Sequence, residues 1–118
     1  MKATPELSVI TKTYDLMLWF IPIIGRFPRS QRFVLGERLE RNLYDILEAL
    51  VRAKFRRDRR ELLDEANMCL DILRFQVRLA KDLDLLSVKR YEYVARRLDD
   101  MGKEVGAWLK ASQGGAAR

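Results

Sequence analysis

The densest charge in the chain runs from Arg52 to Arg60. Arg52, Lys54, Arg56, Arg57, Arg59 and Arg60 stand there against one acid, Asp58. Guanidinium groups offer a planar fork of donors that matches phosphate oxygens, so this run is a candidate contact for a phosphodiester backbone. The same charges also suit the last turn of a helix, where free carbonyls favour cations. Composition leaves both readings open. A second set, Arg74, Arg78 and Lys81, follows Asn67 and Asp71 at helical spacing inside an otherwise apolar stretch. A pair such as Asp71 with Arg74 is worth only a few tenths of a kcal/mol, about what any exposed helix pair contributes. The sharper expectation is that packed neighbours hold Arg74 and Arg78 in place, lining a groove formed on assembly.

Other chemistry has little to work with. His is absent, which removes imidazole general bases, Ser-His-Asp and Cys-His sites, and most zinc chemistry. A lone cysteine, Cys69, allows no intrachain disulfide and no thiolate-only metal site, and is expected as a small core residue. No glycine-rich phosphate loop or paired-carboxylate site stands out. The expectation is a protein with no catalytic residue, no metal and no cofactor. The 118 residues carry 23 Lys and Arg against 17 Asp and Glu, a net charge of +6, so the partners expected are anionic, nucleic acid before membrane. The longest apolar run, Leu16 to Ile24, is broken by Pro22 and falls far short of the roughly 20 residues a membrane span requires. A soluble, cytoplasmic protein is expected.

The elements that must carry these residues read as helices. Thr4-Pro5-Glu6 is a helix start, and Leu7, Ile10, Tyr14, Met17, Leu18, Ile21 and Ile24 recur every three or four residues, predicting a helix over about 5–25 that Pro22 kinks near its end. The second helix, about 29–56, presents Leu35, Leu39, Leu43, Ile46, Leu47 and Leu50, flanked by Tyr44, Val51 and Phe55. Asp58-Arg59-Arg60-Glu61 resembles a capping box and predicts a third helix over about 58–83. This helix shows two apolar stripes, expected side by side: Leu62, Ala66, Cys69, Leu73, Val77 and Ala80, and then Met68, Ile72, Phe75, Leu79 and Leu83. A single bundle core takes roughly a 100° face, so the surplus predicts self-association. Ser87 caps a fourth helix, about 87–111, with Val88, Tyr91, Val94, Ala95, Leu98, Met101, Gly102, Val105, Trp108 and Leu109 on one side. Gly102 and Gly106 could let another helix approach closely. Residues 112–118 are expected as a flexible tail. The fold class is all-α, an antiparallel four-helix bundle in one domain.

Three segments carry a resemblance. Phe27-Pro28-Arg29-Ser30-Gln31-Arg32-Phe33-Val34-Leu35-Gly36-Glu37-Arg38, Leu73-Arg74-Phe75-Gln76-Val77-Arg78-Leu79-Ala80, and the Gly102 to Leu109 stretch ending Gly106-Ala107-Trp108-Leu109 resemble the Avd proteins. These are the accessory variability determinants of diversity-generating retroelements. The first segment is shared with a wider bundle family that includes the ribosomal-RNA intervening-sequence proteins. The alternative function is therefore a structural RNA-binding bundle of that type. The Avd resemblance covers about Thr13 to Lys110. It implies a ring or barrel-like homopentamer, binding to RNA and cDNA, and association with the element's reverse transcriptase, which performs the mutagenic cDNA synthesis. Arg52, Lys54, Arg56, Arg57, Arg59, Arg60, Arg74, Arg78 and Lys81 are the expected nucleic-acid or partner contacts.

Overall fold

The computed structural model describes the backbone of residues 5–116 and the side chains of residues 8–112. Four long helices dominate: α1 (Pro5–Ile24), α3 (Glu37–Lys54), α4 (Arg60–Asp82) and α5 (Val88–Ala116), with a short α2 (Arg29–Gln31) ahead of α3. Among the described residues there is no strand. The helices meet around the bundle in the order α1, α3, α4, α5 and back to α1. Short connections make successive long helices antiparallel, so α1 and α4 run the same way. The result is a rod of 51 × 27 × 19 Å.

One core runs along the rod. It takes Val9, Leu16, Met17, Phe20 and Ile24 from α1, and Leu39, Leu43, Ile46 and Leu50 from α3. From α4 come Leu63, Ala66, Leu70, Leu73 and Val77, and from α5 Val94, Leu98, Met101, Val105 and Trp108. Thr13 is the one buried polar residue among them, and its hydroxyl donates to the Val9 carbonyl oxygen at 2.8 Å, so it leaves no donor unmet.

Helix boundaries follow the sequence with local exceptions. Pro22 is accommodated inside α1, which continues to Ile24. Thr4, the expected cap of α1, lies outside the described residues. The capping box at Asp58 does not form. Arg59 is the N-cap without a side-chain cap bond, and Asp58 Oδ1 accepts from the Arg60 N–H at 3.4 Å, a local turn. Ser87 does cap α5, its Oγ accepting from the Arg90 N–H at 3.1 Å. Asp84 adopts φ 62° in the turn before it, and Leu85 N–H reaches back to the Ala80 carbonyl at 2.8 Å. That left-handed closure is usually made by glycine. The α5 backbone stays helical to Ala116, beyond the expected end at 111; residues 117–118 of the expected tail lie outside the described residues.

One feature has no periodic signal. Arg32–Gly36 form a π-helical turn ahead of α3, with the Glu37 N–H reaching the Arg32 carbonyl five residues back. A Cβ on Gly36 would stand 3.1 Å from Ile24 Cγ2, so glycine lets this turn close on the end of α1. The turn buries Leu35 and turns Phe33 and Val34 out to solvent.

Candidate nucleic-acid and partner interface

The nine expected contact residues fall into two separate places. Arg52 to Arg60 crown the end of the rod where α3 passes into α4. Arg74 stands 14 residues into α4 from Arg60, which is about 21 Å at 1.5 Å per residue. No single site gathers them all.

At the loop end, Arg56, Arg57 and Arg60 are exposed, with no ion pair among the described residues. Arg52 lies 3.9 Å from Glu48, and Lys54 stands over the Phe55 ring at 5.4 Å. Arg59 is different. Its Nε donates to the Arg56 carbonyl at 3.0 Å and its guanidinium sits 5.6 Å from the ring of buried Trp108. It braces the loop against α5, while Arg56, Arg57 and Arg60 present their charge to solvent.

On α4, Arg74 is held and Arg78 is not. Arg74 bonds Asp71 at 2.8 Å, lies 3.6 Å from Asp99, and reaches the Leu98 carbonyl on α5 at 3.5 Å. Its Nη2 occupies the space a Cβ on Gly102 would fill, 2.6 Å away. Gly102 therefore makes room for a guanidinium rather than for a helix, and nothing lies within 4 Å of a Cβ on Gly106. The expectation that both arginines are pinned fails for Arg78: its side chain is 64% exposed and its nearest acid, Asp82, is at 4.0 Å. Arg78 points off the rim of the helix, where core packing does not reach it. Lys81 lies over the Tyr91 ring at 4.7 Å and 3.4 Å from Asp82.

Among the described residues, two apolar surfaces are exposed on the bundle. The first is a ridge on α4: Met68, Ile72, Phe75, Leu79 and Leu83 are all exposed, Phe75 by 71%. The core stripe of α4 is Leu63, Ala66, Leu70, Leu73, Val77 and Ala80, with Leu62 and Cys69 only half-buried at its edge. At about 100° per residue the ridge lies roughly 150° from that stripe, so the two are opposite faces and not neighbours as the spacing suggested. Ile72 joins Phe33 and Val34 in a groove of about 580 Å³ that also holds Arg41 and the 2.7 Å bond from Asn42 to Gln76. The second surface is an apolar groove of about 330 Å³ between α1 and α3, lined by Tyr14, Met17, Leu18, Ile21, Tyr44 and Leu47. Tyr14 and Leu18, both on the apolar stripe predicted for α1, are exposed and do not reach the core. Val9, Leu16 and Phe20 take that place, because α1 is apolar around most of its circumference and spacing alone does not choose the inward face.

Cys69 is half-buried, and burial first, then Asp45 and Glu65, pushes its thiol above the ordinary range, away from the reactive thiolate. Among the described residues no group of three or more His, Cys, Asp or Glu could hold a metal ion. None of the described helices is long and apolar enough to cross a membrane.

The described residues form a helical bundle with a cationic loop at one end and exposed apolar faces on α4 and between α1 and α3. The family model described as bAvd-like matches residues 7–112, and the chain belongs to that family. No curated protein matches the chain.

Proposed function

We propose that this protein is the non-catalytic accessory subunit of a diversity-generating retroelement, binding nucleic acid and the element's reverse transcriptase in support of mutagenic cDNA synthesis. The observation that carries the reading is the bAvd-like match across nearly the whole bundle. The uncovered faces support an assembled state. The ridge exposes roughly 500 Å² of apolar surface, at the upper end of what ordinary monomers show. At about 25 cal/mol per Å² its burial offers on the order of 10 kcal/mol, enough to meet much of the cost of association.

The two faces differ in shape, one ridge and one groove, which suits a head-to-tail contact between copies. They also stand level. Glu104 bonds Ser8 at 2.7 Å and Lys12 at 3.0 Å, and Arg59 covers Trp108, so Tyr14 on α1 and Met68 on α4 sit at similar heights. With α1 and α4 parallel, copies side by side can seat ridge in groove without sliding. Because α3 separates the two faces, repetition of the contact curves into a ring, and the pentamer is the closure proposed.

Assembly repeats the exposed loop arginines around one rigid body. Binding to RNA is then strong at low salt and indifferent to sequence. Anisotropy with labelled RNA is expected to show affinity falling steeply between 50 and 300 mM salt. Arg56→Glu with Arg57→Glu and Arg60→Glu is expected to flatten that slope while helicity is kept, since Arg59 and its brace on Trp108 are untouched. Equal affinity at the two salt concentrations would remove electrostatics as the source and the nucleic-acid role with it.

A further inference from the structure

Lys89, Arg96, Lys103 and Lys110 recur every seven residues along α5. Seven residues fall about 20° short of two full turns, so the four cations form one slowly drifting stripe. Neighbours are about 10 Å apart and the ends about 31 Å. All four are exposed, and none makes an ion pair among the described residues.

The acids that could neutralise them are drawn elsewhere. Asp99 lies 3.6 Å from Arg74, Asp100 3.9 Å from Arg97, and Glu104 3.0 Å from Lys12. Among the described acids of α5, only Glu92, exposed between Lys89 and Arg96, stands beside the stripe without an ion pair. Two cross-helix pairs, which tie α5 to α4 and α1, and the Asp100–Arg97 pair within α5 therefore draw these acids away from the stripe. A line of like charges this long matches an extended polyanion, since a small anion would touch only one of its members. A stacked strand advances about 3.4 Å per nucleotide, so roughly nine nucleotides span it. The aromatic ring beside the stripe, Tyr93, is taken by Trp19 at 4.4 Å and by Arg97 at 5.0 Å, which leaves backbone contact without base stacking. α5 lies across the bundle from α3, and neither uncovered apolar face includes it, so the contact proposed above leaves it open.

We propose that this stripe is a track for the phosphodiester backbone of single-stranded nucleic acid, a second contact region beside the Arg52 to Arg60 loop. The inference rests on the nucleic-acid reading above and names where the strand lies.

The test is anisotropy with a labelled 12-nucleotide oligouridylate across a salt series. It compares the full-length protein with the variant carrying Lys89→Gln, Arg96→Gln, Lys103→Gln and Lys110→Gln. At about 0.7 counterions per single-strand phosphate contact, the variant's log–log salt slope is expected to be shallower by about 3. Its affinity at 0.15 M salt is expected to be about 100-fold weaker, with helicity and assembled mass unchanged. The double variant Lys103→Gln, Lys110→Gln is expected to give half the slope change, which keeps the test decisive should the fourfold variant not fold. In the unaltered protein, formaldehyde crosslinks to the RNA are expected at Lys89, Lys103 and Lys110. A folded variant with unchanged affinity and slope overturns the track while leaving the loop reading intact. Unchanged RNA binding with lost capture of the polymerase overturns it in favour of an acidic protein partner. No binding by the unaltered protein at 50 mM salt overturns the nucleic-acid reading itself.

Discussion

Light scattering on the unaltered protein is expected to give about five times 13.9 kDa, the mass of the proposed pentamer, and Phe75→Glu is expected to give a folded monomer. Phe75 is the most exposed member of the α4 ridge and makes no part of the core. A carboxylate there costs the isolated bundle little, yet in the assembly it must be desolvated with no partner. That penalty is several kcal/mol, weakening association by about a thousandfold or more. Leu18→Glu, in the α1–α3 groove, is expected to do the same from the other side of the contact. Mixing the two is the sharper measurement. The Leu18→Glu protein keeps a sound ridge and the Phe75→Glu protein keeps a sound groove, so together they form one contact and stop. The expected product is a one-to-one pair of about twice 13.9 kDa, with no larger species. Were the ridge to meet its own copy, Leu18→Glu would remain assembled and the mixture would give no such pair.

The second large effect is on RNA. Each protomer offers a modest cationic surface, and the proposed pentamer would hold several on one rigid body. Linking sites in this way raises the effective concentration of the later contacts and can add 10² to 10⁴ in affinity without any new contact. The monomeric Phe75→Glu protein is therefore expected to bind a long RNA about 10²- to 10⁴-fold more weakly than the assembled protein. For an RNA short enough to touch one protomer, per-protomer affinity should barely change. Equal losses on long and short RNA would place Phe75 in the RNA contact itself and not in the assembly.

The four helices and their polarity were legible because apolar residues recur at three and four along every segment, and Pro28 and Ser87 punctuate them. The inward face of α1 was not, since Leu18 is as apolar as Leu16, Tyr14 carries a large apolar ring like Phe20, and only the neighbouring helices decide between them. On α4 the second stripe was visible in the spacing. Its placement opposite the core became clear only when Leu63 and Leu70, passed over for Leu62 and Cys69, took the buried positions. The π-helical turn at Arg32–Gly36 has no pattern that a period of 3.6 detects. At the candidate site, the loop arginines were conspicuous as a run, whereas the α5 stripe is spread over 22 residues and interleaved with acids. Its net charge emerges only after Arg74, Arg97 and Lys12 have claimed Asp99, Asp100 and Glu104. Arg74 and Arg78 look equivalent in sequence; Asp99 and the gap above Gly102 separate them.

Service to a reverse transcriptase, with no chemistry of its own, is the role proposed for the bundle. It is tested most directly by cDNA synthesis in a purified system of the cognate polymerase, the template RNA of the same element, and this protein. Abundant template-primed cDNA is expected with this protein present, background without it, and no cDNA from the protein and RNA when the polymerase is omitted. Equal cDNA yield from polymerase and RNA alone would contradict that role.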